Sequence, residues 1–439
     1  MKDFYAHAIL LLVDSLVIAL SIVMGYGLRI ILASSFDDSF EHTLSIYFAF
    51  PLLYIIPLSM LAYEGIYSKR YDFWHESRQI IKSLILSFIL ILAFLAMTQE
   101  IYGYSRAVIT FTFILMAFLL PLFKYLTKHY LYRTGIWQRE ASVYSNDPIF
   151  TKEIFENHYL GYIQVKYKSA KTVFLNSQDI EINELNRIIA KELRYKKEVI
   201  FIPLVNEYDL THSHIYRLSS TRTNLIVFQN RLKSRYRLWG KKLSDISITI
   251  LSLPFILPLI LYISYKIKKN EPKQKIFFKQ KRLGKNGKHF SCYKFQTMYE
   301  NNENLLKKYL AEYPEEVAYY EKYHKYQNDP RITKTGSFLR RSSLDELPQI
   351  FNVFRGDMSF IGPRPYMLNE ENIIAKEIDT ILSVKPGITG LWQVSGRNNV
   401  DFMSRIKLDV WYIRNWNLWM DLVIFIKTIQ TVLRKDGAH

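Results

Sequence analysis

Four long apolar stretches in the first third of the chain constrain its fold more than any other feature of the sequence. They run at roughly 7–33, 45–66, 79–101 and 107–131. Each approaches or exceeds the ~20 mostly apolar residues that a helix needs to cross a bilayer. The first has too few charges ahead of it for a cleaved signal peptide and no small-residue cleavage site, so it reads as a retained span. Asp14 lies within it, and a carboxyl at that depth is expected to face other helices, away from lipid. Buried helices of a soluble protein are the weaker reading of four such stretches. The loop 34–44 has no Lys or Arg, and the turn 102–106 has only Arg106. Lys69, Arg70, Arg78 and Lys82 follow the second stretch, and Lys124, Lys128, Arg133 and Arg139 close the fourth. By the positive-inside rule, residues 1–135 form a four-span bundle with both ends cytoplasmic, and the chain continues on that side.

Charge narrows the partners. Lys plus Arg number 58 against 40 Asp plus Glu, a net charge of +18. That balance suits nucleic acid, an anionic membrane face or a phosphorylated substrate. The basic residues cluster beside apolar segments, which favours lipid and phosphate over nucleic acid. A lone cysteine, Cys292, excludes a disulfide framework and any multi-cysteine metal site.

Residues 136–229 change character. Short β-rich runs at 141–144, 163–167, 172–176, 198–204 and 224–228 alternate with helical stretches near 149–158, 182–194 and 207–218. The alternation predicts a small parallel sheet covered by helices, a Rossmann-like α/β module. The first strand-to-helix turn, Tyr144-Ser145-Asn146-Asp147-Pro148, has no glycine, so a pyrophosphate could not approach its backbone. The module is therefore expected to bind no dinucleotide and to serve structure, regulation or subunit pairing. His212 and His214 read as a surface pair, since no further ligand cluster accompanies them.

The segment 246–265 is apolar enough to span but carries Pro254 and Pro258. Each proline removes a helix hydrogen bond and clashes with the preceding turn. Both flanks are basic, with Arg231, Lys233, Arg235, Arg237, Lys241 and Lys242 before it and Lys266, Lys268, Lys269 and Lys273 after. A straight crossing would place one cluster on the wrong side. A re-entrant helix, broken near Ser252-Leu253-Pro254 and returning to the same face, satisfies both.

The candidate chemistry follows. The basic run 277–295 predicts a β-hairpin turning at Lys285-Asn286-Gly287, and it offers Lys279, Lys281, Arg282 and Lys294 as phosphate ligands. A polar helical stretch covers 299–327. Beyond it come Asp329-Pro330-Arg331, Asp345-Glu346, Gly356-Asp357-Met358-Ser359 and Gly362-Pro363-Arg364-Pro365. Ser343 and Glu346 alone read as a capping box. Arg340, Arg341, Arg355 and Arg364 bring more positive charge than a cap requires. A carboxylate among guanidiniums and a divalent cation can attack phosphorus, because the anionic substrate is neutralised locally.

The motifs SLDELPQ (343–349), GDMSFIGPRP (356–365) and KPGITGLWQVSGR (385–397), with the ending from Trp416, resemble the bacterial sugar transferase family, the polyprenyl-phosphate sugar-1-phosphate transferases. The resemblance covers about 240–439, and the bundle plus α/β module resembles the long form of that family. It implies a monotopic, mixed but mainly helical catalytic domain over 230–439. It implies Asp345 as nucleophile, Glu346 as a Mg²⁺ ligand, Arg340 and Arg364 on phosphate, and Ser252 and Pro254 at the re-entrant break. Leu253 between those two, and Gln296 where the family usually has arginine, depart from the pattern. The implied reaction joins a UDP-sugar, with galactose or glucose expected, to undecaprenyl phosphate at the cytoplasmic face of the bacterial inner membrane. It starts O-antigen, capsule or exopolysaccharide synthesis, hands product to downstream glycosyltransferases and admits a homodimer. A non-catalytic membrane scaffold is the competing class.

Overall fold

Helix formation in the first third follows the apolar stretches. Helices α1 (Lys2–Ile31), α2 (Leu44–Phe48), α3 (Leu52–Tyr63), α4 (Phe73–Met97) and α5 (Arg106–Arg133) occupy them, α2 and α3 sharing the second. The computed structural model describes residues 2–33, 43–98, 103–144, 148–176, 182–196, 198–202, 214–217, 224–227, 234–300, 303–323, 326, 328–395 and 400–434. Most of the loop 34–44, residues 145–147 of the glycine-free turn, His212, Arg231 and Lys233 lie outside them. The chain divides into two units, Met1–Leu204 and Val205–His439. Five segments are long and apolar enough to cross a membrane by length and composition, the four above and Tyr236–Asn270. The chain is a membrane protein by these helices.

In the first unit, Asp14 is 1% exposed and accepts from Lys124 Nζ at 2.5 Å and Tyr67 Oη at 2.7 Å. It faces helices, as expected of a carboxyl in a span. Glu76 and Lys128 form a second pair with both side chains fully buried. Strands β1 (Arg139–Tyr144), β2 (Tyr162–Gln164), β3 (Thr172–Asn176) and β4 (Glu198–Ile202) make a parallel sheet in the order β2-β1-β3-β4. Helix α6 (Pro148–Glu156) follows β1, and α7 (Ile182–Tyr195) follows β3. Arg70 joins the sheet to the bundle. Its Nη1 donates to the carbonyls of Trp137, Leu160 and Gly161 at 3.0, 2.8 and 3.2 Å, and its guanidinium lies over the Trp137 ring. Gly161 adopts φ +71°, and a Cβ there would fall 2.3 Å from the Trp137 carbonyl oxygen, so only glycine permits this close approach.

Within the stretch 207–218, where only 214–217 lie among the described residues, those four depart from the helical expectation. Strand β5 (His214–Arg217) pairs antiparallel with β6 (Asn224–Val227), which therefore leaves the parallel sheet for a separate hairpin. Ile215 opposes Ile226 and Tyr216 opposes Leu225. The β-branched and aromatic residues of both runs favour strand, which outweighs a weak local helix pattern.

In the second unit, α8 (Arg235–Asn270) is one continuous helix that contains both Pro254 and Pro258. The expected break is thus not a gap in the helix. Pro254 only deprives the Ile250 carbonyl of its helical donor. Ser252 Oγ does not cover that carbonyl, but donates to the Thr249 carbonyl at 2.9 Å. One side of α8 packs on the rest of its unit along most of its length. Lys241 Nζ donates to the Ile361 carbonyl at 2.8 Å, to Asp421 at 2.9 Å and to Asp245 at 3.2 Å. Leu253, Ile256, Ile260, Ile263 and Ile267 join a core with Phe295, Leu339 and Ile350. Asn270 Nδ2 donates to Thr335 Oγ1. The other side is exposed and apolar, with Leu243, Leu251, Phe255 and Leu261 each more than 60% exposed.

The hairpin forms as expected. Strands β7 (Phe277–Leu283) and β8 (His289–Phe295) pair antiparallel across a turn in which Asn286 and Gly287 take φ +57° and +72°. Helices α9 (Glu303–Glu312), α10 (Glu315–Tyr323), α11 (Lys334–Arg341) and α12 (Ile350–Arg355) follow, then β9 (Ser359–Ile361), α13 (Ile378–Ile381) and β10 (Gly387–Thr389). Short α14 (Leu391–Val394) precedes α15 (Phe402–Asn415) and α16 (Leu418–Arg434). Lys241 is the node that ties α8 to β9 and α16. Lys241→Met would leave Asp245 and Asp421 in an unbalanced buried site, at a cost of about 3–5 kcal/mol. Thermal unfolding in detergent, followed by tryptophan fluorescence, should show a clearly lower midpoint, partly restored by Lys241→Met/Asp421→Asn.

Candidate active site

Asp345 and Glu346 sit on a tight turn of unusual origin. Ser343 has φ +55°, in the left-handed region, and opens a 3₁₀ turn over Leu344–Gln349. A left-handed non-glycine residue is costly and marks a site where surrounding structure enforces the geometry. It also removes the capping-box alternative, because an N-cap residue needs extended backbone. Ser343 makes no side-chain cap hydrogen bond, and the Glu346 carboxylate turns instead to Lys294 on β8.

The Lys294 ammonium donates to Glu346 Oε1 at 2.6 Å, both side chains being about three-quarters buried. Burial disfavours the charged form of Glu346. Lys294, followed by Arg364 and Arg282, more than offsets that, so its carboxyl lies below the usual range. Asp345 goes the other way. Burial raises it and Glu346 adds repulsion, against the pull of Lys294 and Arg340, and it is pushed up to about 6. Two adjacent carboxyls thus have divergent proton affinities, the pattern expected of a site with separate roles. Among the described residues, the Asp345 carboxylate has no ion-pair partner.

The arginines divide into positioned and committed groups. Arg340 Nε donates to Thr297 Oγ1 at 2.9 Å, which fixes its guanidinium near Asp345. Arg364 Nη2 pairs with Glu370 Oε1 at 3.2 Å, and its backbone N–H donates to Asp409 Oδ2 at 3.0 Å. Arg282 is 7% exposed and spends Nη1 on the Pro365 carbonyl and Nη2 on Gln280. It braces the Gly362-Pro363-Arg364-Pro365 loop and contributes charge to Glu346 from behind. Asp329 and Arg331 are bound to each other in a fork, with contacts of 2.8 and 2.6 Å, beside Arg340. Lys279 is exposed on β7 over the Tyr293 ring, and Lys281 is exposed on the same strand. Gln296 Nε2 donates to the Met298 carbonyl at 2.7 Å. The structure thus brings together Asp345, Glu346, Lys294, Arg340, Arg364 and Arg282. It does not bring Lys279 to them, and it leaves Asp329 and Arg331 neutralising one another.

Sequence reasoning missed the residues that aim Arg364. Glu370 is 1% exposed and also accepts from Met367 N at 2.7 Å. Asp409 is fully buried and accepts from Tyr366 Oη at 2.8 Å as well. Burial pushes Asp409 up to about 7, against the Arg364 and Tyr366 hydrogen bonds. A signal existed for Glu370, six residues after Arg364, but none for Asp409, forty-five residues away on α15. Glycines interlock the motifs: a Cβ on Gly387 would fall 2.1 Å from Gly362 N, so β9 and β10 pair only because both positions are bare.

Two carboxylates and no larger acidic cluster fit a hard cation that takes most of its ligands from water and substrate phosphate. No group of three or more His, Cys, Asp or Glu able to hold a metal occurs among the described residues. Mg²⁺ is of that kind, and Glu346 would hold it, with Lys294 competing for one of its oxygens.

Comparison with known proteins places this geometry. The bacterial sugar transferase family matches residues 236–435. The undecaprenyl-phosphate galactose phosphotransferase of Salmonella typhimurium is 35% identical over 404 residues, 85% of this chain and 84% of that protein. The UDP-galactose-lipid carrier transferase of Erwinia amylovora is 27% identical, over 85% of this chain and 84% of that protein. The UDP-glucose:undecaprenyl-phosphate glucose-1-phosphate transferase of Xanthomonas campestris is 31% identical, over 63% of this chain and 55% of that protein. A carboxylate pair ringed by basic residues, on a chain matched along most of its length, is that of an enzyme: the protein belongs to the bacterial sugar transferase family.

Proposed function

We propose that this enzyme transfers a hexose 1-phosphate, from UDP-galactose or UDP-glucose, to undecaprenyl phosphate through a covalent intermediate on Asp345. The observation that carries the reading is an Asp345 carboxylate with no ion-pair partner among the described residues, beside Lys294 and Arg340 and next to a Glu346 held ionised by Lys294, Arg364 and Arg282. An Asp345 oxygen attacks the β-phosphorus, the bond to the bridging oxygen breaks, and UMP leaves with both electrons of that bond. An oxygen of undecaprenyl phosphate then attacks the sugar-phosphoryl aspartate. Asp345 departs as carboxylate, and undecaprenyl-diphospho-sugar forms. Both nucleophiles are already anionic, so neither step needs a general base, in keeping with a site built without histidine. Arg340 and Arg364 bind phosphate oxygens and neutralise the charge that develops there, the main catalytic work in phosphoryl transfer. Bound Mg²⁺ would add electrophilic neutralisation of the diphosphate.

Location supports the same reading. Helix α8 is held on its own unit from Lys241 to Asn270, yet 36 residues of helix measure about 54 Å. A helix clamped that way can lie along the membrane surface with its exposed apolar side in the near leaflet, but not leave its domain behind to cross. We place the catalytic domain on the cytoplasmic face of a bacterial inner membrane, where a soluble donor and a lipid acceptor meet. The divisions at 135 and 229 then separate a four-span anchor, an α/β module and the catalytic part. The product would open polysaccharide assembly and pass to other glycosyltransferases.

Replacing Asp345 by Asn keeps the shape and removes the attacking charge, so UMP release should fall by at least about a thousandfold. Wild-type turnover in that variant would overturn the assignment, and a panel of UDP-sugars read by UMP release identifies the donor. The raised Asp345 carboxyl sets the pH dependence. Protonation removes the nucleophile, so kcat/KM, which reports the free enzyme, should be full above and fall below pH about 6. A profile flat through that region would contradict the role.

A further inference from the structure

A cavity of about 260 Å³ opens between the first turns of α8 and the segment from Val353 to Pro363. Its wall is largely apolar, with Leu238, Ile246, Val353, Met358, Val384 and Trp416. None of Asp345, Glu346, Lys294, Arg340 and Arg364 lines it. Four lysines do: Lys241 and Lys242 on α8, Lys285 in the hairpin turn, and Lys385 before β10. The turn is seated there by Asn286, whose N–H donates to the Leu382 carbonyl at 2.7 Å.

Lys242, Lys285 and Lys385 differ from Lys241, which Asp245 and Asp421 neutralise. Among the described residues, no carboxylate lies within ion-pair distance of Lys242, Lys285 or Lys385. Burial pushes the Lys385 ammonium below its usual range. Asp245 and, more weakly, Asp357 oppose that, while Lys242 and Lys285 repel it further. Three ammonium groups from three segments thus converge on one apolar cavity, an arrangement that an anion would complete. The cavity also opens among apolar surfaces: Phe354, in its lining, is 72% exposed, and Trp239, next to Leu238, is 71% exposed. A soluble phosphate would use the lysines and waste the wall, whereas an anionic amphiphile uses both.

We propose that this cavity holds an anionic phospholipid, its phosphate on Lys242, Lys285 and Lys385 and part of an acyl chain along the apolar wall. It is a resident lipid and not the acceptor, because a phosphate held there is not at the Asp345 turn. Its bound phosphate joins α8 to the hairpin turn and to the strand that interlocks with Gly362.

The test uses the full chain, reconstituted in phosphatidylcholine nanodiscs doped with phosphatidylglycerol, then extracted and read by native mass spectrometry for retained lipid. Wild-type protein should retain phosphatidylglycerol in preference to phosphatidylcholine. The triple variant Lys242→Gln/Lys285→Gln/Lys385→Gln should lose at least about tenfold in retention. Val384→Trp, which fills the cavity and keeps the charges, should lose it as well. Unchanged retention in the triple variant would overturn the site. So would preferential retention of undecaprenyl phosphate when both lipids are supplied at equal concentration. The readout is bound lipid, so failure of the transferase reading would leave this result standing on its own.

Discussion

One ammonium group, that of Lys241, organises the catalytic unit. Its three hydrogen bonds go to a carbonyl of β9 and to carboxylates on α8 and α16. Those carboxylates are themselves fully used. Asp245 accepts from Ser359 Oγ and Phe360 N, and Asp421 accepts from Tyr412 Oη and Trp416 Nε1. A buried charge is tolerable only when paired and hydrogen-bonded, and here every member meets that condition. The network therefore allows one register of α8 against β9. Strand β9 leads directly into the loop that carries Arg364, so the height of the active site relative to the apolar face of α8 is set by this pairing.

From that frame the site is assembled by opposing charges. Lys294 on β8 holds Glu346, Thr297 holds Arg340, and Glu370 and Asp409 hold Arg364. Each basic group thus has a fixed direction before a substrate arrives, while the Asp345 carboxylate has no ion-pair partner among the described residues. Preorganised charge around such a carboxylate suits phosphoryl transfer, in which positioning and neutralisation supply most of the rate.

Much of this was legible in the sequence because its signals are local. Apolar length marked the helices of the first third, Asn286-Gly287 marked the hairpin, and the arginines flanking Asp345 marked the site. What the sequence hid depends on distance. Lys241 and Asp421 are 180 residues apart, and Asp409 acts on Arg364 from 45 residues away. Arg282 looked like a phosphate ligand by charge, yet its partners are a carbonyl and an amide. The 3₁₀ turn at Leu344 was masked by a capping-box pattern that only the left-handed Ser343 rules out. Local helix propensity misled at 214–217, where β-branched and aromatic residues favour strand. Proline chemistry pointed to a break in α8, but packing along one side holds the helix together.

The central claim is that Asp345 becomes covalently bonded to phosphorus, and trapping that bond tests it most directly. Purified full-length protein is mixed with UDP-galactose or UDP-glucose and Mg²⁺ without lipid acceptor, quenched, digested and mapped by mass spectrometry. The expected result is a hexosyl-phosphate adduct on the peptide containing Asp345, formed together with UMP and discharged when undecaprenyl phosphate is added. UMP release with no adduct on that peptide, or an adduct on another residue, would contradict the account.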